Sequence, residues 1–399
     1  MPPGRRATTP LCDYSSFMPS SEFSIAIVQD ELIRRGGGEQ VTRCFHQAFP
    51  AAPIYAIAYQ PQSTFPYFAQ CDVRTSWFQR IATNEARLKK FFFPLGILAM
   101  RQLDVTGYDV VLLSSTHCAK YVKVSPRALV INYCHTPFRL ARNPNSYAEY
   151  TQSRGMKRRA FDWLVKTLAT IDYQAAQRTD CFIANTSEVS QRIRQAYRFD
   201  KPIEIIRPPV DCAKFFVAAR VENYFLVVSR LEHYKKLDLV VEAFNRLGYP
   251  LVIVGKGSQE NALKQAAKPN ISFRGGVSEE ELANLYAHCR ALIFPQHEDY
   301  GITPLEANAS GRPVIAYGAG GVLDTMIPVK SDPGQATAVL FDQQTVDSLI
   351  EAIERFERFD FNPRFIRQHA EKFHETEFIR QIKAYVSRQY ESRLTVSAH

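Results

Sequence analysis

Short, continuously apolar, β-branched segments recur along this chain in two successive sets, and longer helical patterns separate most of them. The first set is FSIAIV (from Phe23), PIYAIAY (from Pro53), DVVLLS (from Asp109), ALVINYC (from Ala128), CFIAN (from Cys181) and IEIIR (from Ile203). The second is YFLVVS (from Tyr224), PLVIVG (from Pro250), ISFRG (from Ile271), ALIFP (from Ala291), PVIAYG (from Pro313) and AVLF (from Ala338). A strand that is apolar at every position is covered on both faces, so each set predicts a parallel sheet between two layers of helices. The fold class is therefore α/β, with two open, doubly wound sheets. In such sheets ligands bind outside the carboxyl ends of the strands, and the cleft between the halves is the expected active site.

The length of 399 residues agrees, since it exceeds one ordinary core and fits two domains of about 200 residues each. The seam falls in RPPVDCAKF (Arg207 to Phe215), which has consecutive prolines and no periodicity. We therefore expect a first domain over 1–206, a second over 207–377, and a terminal helix over 378–399 that packs back on the first domain. Neither an internal repeat nor a low-complexity segment is evident.

Apolar content of 46% and charged content of 22% are those of a globular protein. The formal charge of +9 suits phosphorylated ligands, an anionic membrane surface or nucleic acid, without choosing among them. None of the eight cysteines has metal-ligand spacing, and several sit in apolar runs, which predicts small buried side chains in a reducing cytosol. Residues 1–20 have no apolar core of the length a signal peptide needs, and no window approaches eighteen uninterrupted apolar residues. We expect a cytoplasmic protein, at most peripheral to the inner face of a membrane. RLKKFFFPLGILAM (from Arg87) and MKRRAFDWLVKTL (from Met156) join cations to bulky apolar residues and suit either attachment to an anionic membrane or domain packing with a solvated basic edge.

Within HEDYGITPLE, Glu298 and Glu306 flank a turn, Gly301-Ile302-Thr303, that should open a helix and aim backbone N–H groups at an anion. One carboxylate before the turn and one after it can grip hydroxyls on either side of a bound phosphate. Other candidates fall at strand ends on the same rim. Gly36, Gly37 and Gly38 allow a sharp turn and close backbone approach before a helix expected to begin near Glu39. His135 follows ALVINYC and precedes Thr136-Pro137, where it either binds a substrate group or serves the structure. Arg230, Lys235 and Lys236 lie after YFLVVS, and lysines at a helix start oppose the helix dipole unless an anion compensates. Gly255-Lys256-Gly257-Ser258 lacks the glycines of a dinucleotide or P-loop fingerprint and reads as a tight turn. Ser278 to Glu281 forms a capping box, preceded by a short loop from Gly275 where a base can lie.

The succession of Gly-rich turn, CHTP, SRLEHYKKLDLVVEAF, VGKGS, FRGGVSEEELANLYAHC and FPQHEDYGITPLEANASGRPVIAYGAGG strongly resembles the family 4 retaining glycosyltransferases. The resemblance runs over nearly the whole chain and is densest from Tyr224 to Phe341. It implies the GT-B fold, two Rossmann-like domains facing a cleft. It also implies roles: Glu298 and His135 contact the donor sugar, Glu306 binds the ribose hydroxyls, and the amides of Gly301, Ile302 and Thr303 hold the diphosphate. Arg230 and Lys235 neutralise its charge, Gly37 and Gly38 approach the phosphates, and Val277 meets the base through backbone atoms. Lys236 stands where many relatives have glycine, which leaves two lysines as partners for the phosphate.

No Asp-x-Asp motif ends a strand, so the resemblance implies metal-independent transfer with neither metal nor cofactor, the nucleotide sugar being a co-substrate. YKKLDLVVEAF with the HEDYGITPLE context is similar to bacterial mannosyltransferases of polysaccharide assembly, which points to GDP-mannose, with UDP-sugars as the alternative. The acceptor would be a saccharide or a lipid-linked saccharide. Readings from other classes are a nucleotide-dependent oxidoreductase, a phosphate-rich polymer binder and a silent sugar-nucleotide binder. The first lacks its GxGxxG fingerprint and the second any nucleic-acid module.

Overall fold

A computed structural model describes residues 23–81, 87–88, 92–142, 144, 148–330 and 332–397. The expectation about a signal peptide concerns residues outside this set. Among the described residues two all-parallel sheets form. The first has the order β3-β2-β1-β4-β5-β6-β7 and the second β10-β9-β8-β11-β12-β13. In the first, β1 is Ile25–Gln29, β2 Ile54–Ala56, β3 Val73–Thr75, β4 Val110–Ser115, β5 Leu129–Cys134, β6 Cys181–Ala184 and β7 Glu204–Ile205. In the second, β8 is Phe225–Val228, β9 Leu251–Val254, β10 Ile271–Gly275, β11 Leu292–Phe294, β12 Val314–Tyr317 and β13 Ala338–Phe341.

Every apolar run expected to be a strand became one, and β3 is the addition. Its sequence, Val-Arg-Thr, has a single apolar residue, and an edge strand half in solvent needs no more. In β1, β4 and β5 all positions are buried, as a sheet covered on both faces requires. In each sheet the strand order reverses direction beside the first strand, between β1 and β4 and between β8 and β11, so the carboxyl ends there leave a crevice. The helix after the glycine run spans Gly37–Ala48, starting two residues earlier than expected.

The last helix, Glu375–Ser397, crosses back to the first sheet. Phe378, Ile382, Tyr385 and Val386 are buried in the core under β1 and β5. The Phe378 ring lies 6.0 Å from Phe45 and 5.9 Å from Tyr133, and burying one such side chain stabilises the fold by about 1.5–3 kcal/mol. The amphipathic spacing thus finds its apolar partner on the opposite half of the chain.

Two basic apolar segments have different fates. Ile97, Ala99 and Met100 of the first are buried in the core around β4, which is the packing reading. Lys89, Lys90 and Phe91 lie outside the described residues. The second forms the start of the Gly155–Ala176 helix, where Met156 is 86% exposed and Trp163 67% exposed. Of the cysteines, Cys44, Cys118, Cys134, Cys212 and Cys289 are buried, and every described cysteine is a free thiol; Cys12 lies outside the described residues. No helix of the described residues is long and apolar enough to cross a membrane.

Candidate functional site

The strand ends of both sheets border one cavity of about 470 Å³. From the first half come Gly37, Gly38, Thr116, His135, Thr136, Arg139 and Asn185, and from the second Ser229, Arg230, Lys235, Gln296 and the run Glu298 to Thr303. Glu298, His135, Arg230, Lys235, Gly37, Gly38, Gly301, Ile302 and Thr303, nine of the residues singled out in the sequence, therefore meet on one wall system. Glu306, Val277 and Lys236 do not line this cavity.

Gly301 caps the Ile302–Ala309 helix with φ +81°, and a Cβ there would come within 2.9 Å of the Phe294 ring. A side chain at this position is opposed by both backbone sterics and packing. The first amides of the helix face the cavity without intrahelical partners, and Pro304 in the same turn has no N–H to satisfy. On the opposite wall Gly38 lies against the strand ends. A Cβ there would stand 3.3 Å from Gln29 Nε2 and 3.7 Å from His135 Nε2.

Lys235 ends a short 3-10 turn, is nearly buried, and forms an ion pair with Glu298. Burial, together with the positive charges of Arg230 and Arg139, lowers its ammonium pKa to about 8. The group is cationic at neutral pH and loses its charge within the mildly alkaline range. Lys236 is the next residue, with a left-handed φ of 58° that lets the Leu237–Leu247 helix start. That conformation is strained for lysine and unstrained for glycine, and the turn aims Lys235 rather than Lys236 at the cavity. Arg230 leaves the end of β8 and donates to the Tyr234 hydroxyl at 2.6 Å.

His135 follows β5. Its Nε2 lies 2.9 Å from Ser114 Oγ, and Asn185 Nδ2 donates to its backbone carbonyl at 3.0 Å. Burial lowers its pKa to about 4, opposed by the charge of Asp30, so the ring is neutral at physiological pH. A neutral imidazole can exchange hydrogen bonds with a sugar without placing a charge beside it.

Glu306 sits one turn into the Ile302–Ala309 helix and accepts a 2.8 Å bond from the Tyr286 hydroxyl. Burial raises its pKa, while Tyr286 and Lys214 work against that shift. Lys214 also pairs with Glu279 at 2.8 Å, and Arg35 reaches Glu279 from the first half at 3.3 Å. Val277 is part-buried against the core of the second sheet. Of the expected capping box the serine half is observed, with Ser278 Oγ accepting from the Glu281 amide at 3.1 Å.

Sequence reasoning missed Asp299, Arg139, Arg192 and Asp30. Asp299, next to Glu298, accepts from Arg139 at 2.9 Å and pairs with Arg192, while Thr186 Oγ1 donates to its carbonyl at 2.9 Å. Ser187 binds Asp324 through backbone and hydroxyl. These contacts fasten the second half to the first at the edge of the cavity. The acidic residue inside HEDYG was the available signal, but its partners are more than a hundred residues away.

Asp30, buried after β1, accepts backbone bonds from Thr116, His117, Cys118 and Ala119 at 2.6–3.0 Å. His117 lies between Asp30 at 3.0 Å and Glu31 at 3.2 Å. Burial opposes its protonation, but the two carboxylates prevail and raise its pKa to about 10. Asp30, His117 and Cys118 are close enough for metal ligands. A protonated imidazole, a thiol raised by burial and a carboxylate already facing four amides form an ion-pair cluster that shapes the Thr116 wall instead.

With this geometry in place, the comparisons with known proteins are specific. Residues 35–214 match the model described as Glycosyltransferase Family 4, and residues 214–373 match that described as Glycosyl transferases group 1. The O-antigen chain mannosyltransferase C of Escherichia coli is 35% identical over 102 residues, 24% of this chain and 28% of that protein. Glycogen synthase 2 of Geobacter sulfurreducens is 30% identical over 138 residues, 32% of this chain and 28% of that protein. The alignments thus span less than a third of either relative. Anabaena HepE, solved in complex with UDP and glucose, superposes with a TM-score of 0.64 at 15% identity over 92% of this chain and all of that one, a likeness of fold. The architecture is GT-B.

Proposed function

This chain belongs to the family 4 glycosyltransferases (glycosyl transferases group 1), and we propose that it transfers a hexosyl group from a nucleoside diphosphate sugar to a saccharide or lipid-linked saccharide acceptor. The observation that carries the reading is the convergence at one cavity of the Gly301 helix start, Arg230, Lys235, Glu298, Gly38 and His135. The helix amides, Lys235 and Arg230 receive the diphosphate and stabilise the charge that grows on it as the glycosidic bond breaks. Glu298 orients the donor sugar. His135, neutral, binds it from the other wall. Glu306, Lys214 and the loop at Val277 lie at the nucleoside end, where the ribose and base would rest.

Transfer proceeds with retention of configuration and without a divalent metal. The acceptor hydroxyl attacks from the face the diphosphate leaves, and the departing phosphate takes its proton. EDTA should leave turnover unchanged; activity lost to EDTA and restored by manganese would overturn the metal-free reading. The anomeric coupling of the first-formed product, read by NMR, tests retention.

The donor we favour is GDP-mannose, supported by the similarity to the O-antigen mannosyltransferase. A UDP-sugar is the second reading, favoured by the similarity to glycogen synthase 2. A calorimetric panel of GDP, UDP, ADP and their sugars separates them. A response to no nucleotide would reopen the oxidoreductase and polymer-binding alternatives.

Peripheral attachment to an anionic membrane is part of the proposal. Met156, Ala160 and Trp163 share one helix face at i, i+4 and i+7, with exposed Arg159 and Lys166 alongside. Flotation with vesicles rich in phosphatidylglycerol should carry the protein, and Trp163→Ser should reduce it. Wild-type protein left at the bottom of the gradient would remove the membrane from the account.

A further inference from the structure

Beside the transfer cavity lies a second hollow of about 450 Å³. Its walls include Thr136, Arg139, Arg142, Arg192 and Gln195, and every described lining residue belongs to the first half of the chain. Thr136 and Arg139 also line the transfer cavity, so the two spaces share a wall. None of these side chains is needed to describe donor binding.

Among the described residues, the charges around the hollow are only partly compensated. Arg142 lies 3.7 Å from Asp172, but Asp172, wholly buried, is already bound by buried Lys120 at 2.7 Å. Arg139 and Arg192 share the single carboxylate of Asp299, and Arg192 also pairs with Glu188, which the His297 ring approaches at 2.9 Å. Four cations (Lys120, Arg139, Arg142 and Arg192) therefore stand against three carboxylates. The Arg142 guanidinium also lies 5.4 Å from the centre of the Tyr197 ring. Positioned guanidinium groups with donors to spare match the geometry of phosphate oxygens, which they bind in a bidentate manner.

We propose that this arginine hollow is a subsite for a phosphate or diphosphate group carried by the acceptor. The proposal rests on the reading of the neighbouring cavity as a sugar-transfer site. The donor diphosphate has its own cradle on the second half, at Arg230, Lys235 and the Gly301 helix. An anion held by Arg142 and Arg139 belongs to a molecule that enters along the first half, with its hydroxyl presented past Thr136 to the transfer cavity. The acceptor class this selects is a phosphorylated saccharide, either soluble or linked through a diphosphate to a lipid.

The test is calorimetric titration of inorganic pyrophosphate into the full chain presaturated with whichever nucleoside diphosphate binds in the panel, so that the donor cradle is filled. Wild type should show a saturable event, weakened about tenfold by Arg142→Gln. Arg230→Gln should leave it unchanged. Gln195→Glu, a change on an exposed helix surface that sets a like charge at the hollow, should weaken it as well, and serves if the arginine variant does not fold. Absence of pyrophosphate binding would overturn the proposal. So would equal affinity in wild type, Arg142→Gln and Gln195→Glu, or loss confined to Arg230→Gln. Two further ligands divide the sources: tighter binding of farnesyl diphosphate assigns the group to a lipid carrier, and tighter binding of a hexose 1-phosphate to a soluble acceptor. A protein that ignored every nucleotide but kept this variant-dependent pyrophosphate binding would sink the transfer reading and leave the anion subsite standing.

Discussion

The two walls of the cleft are built differently. On the second half the residues are local: Arg230 to Lys235 spans six residues, and Glu298 to Thr303 another six, with the backbone of one helix start forming the proposed anion site. On the first half the wall is assembled from three separate strand ends, bearing Thr116, His135 and Asn185, and from the helix start at Gly38, and buried charge holds it in place. Asp30 ties the end of β1 to the loop after β4, and Lys120 with Asp172 ties that loop to the long Gly155–Ala176 helix. Continuous backbone geometry can carry a function in a short motif. A wall made by tertiary contacts leaves no such motif.

The contrast can be broken by substitution. The largest effect is expected on the first half, where Lys120→Met would leave the buried Asp172 without its close cation, only Arg142 remaining at 3.7 Å. Removing one partner of a buried pair costs about 3–5 kcal/mol. Thermal unfolding should show a large drop in Tm, and a variant as stable as wild type would mean that the pair does not hold this wall. On the second half Lys235→Gln should depress turnover by about 10²–10³ while barely moving Tm, as loss of one preorganised charge at a developing anion does. A Tm loss as large as that of Lys120→Met would erase the distinction between the walls.

Asp299→Asn probes the seam. It keeps the shape but removes the charge shared by Arg139 and Arg192, and should lower kcat by about tenfold, the lower end of about 1.5–3 kcal/mol for hydrogen bonds to charged groups. Nucleotide affinity, measured by calorimetry, should stay within about twofold. An affinity loss matching the kcat loss would place Asp299 in donor binding instead of in the fastening of the halves. The smallest effect belongs to Lys236→Gly. Relief of a left-handed lysine offsets the entropy a glycine adds, each by about 1 kcal/mol, so Tm and nucleotide affinity should both stay near wild type. A large fall in affinity would return Lys236 to the phosphate.

The same contrast explains what could be read from the sequence. Apolar runs disclosed twelve strands, most of them because burial on both faces dictates their composition and β7 and β10 despite partial exposure, whereas β3, an edge strand with one valine, carried no such mark. Glu298, Lys235 and the Gly301 turn were visible because their spacing is a backbone property. The Lys235–Lys236 choice was not, since it depends on the φ of a single residue. The partners of Asp299 and of Asp30 were illegible: single acidic residues acquire meaning only when distant strand ends come together. The arginine hollow beside Thr136 is another product of that assembly.

The central claim is that Lys235 and the Gly301 helix start hold a diphosphate, and the pH dependence of nucleoside diphosphate affinity tests it most directly. Lys235 titrates at about 8 in the free protein, and a bound diphosphate favours the charged ammonium and raises that value further. Affinity should be flat from pH 7 to about 8 and then fall by up to tenfold per pH unit, and Lys235→Gln should abolish the fall. Wild-type affinity that stays level to pH 9.5, or declines in parallel with Lys235→Gln, would contradict the account.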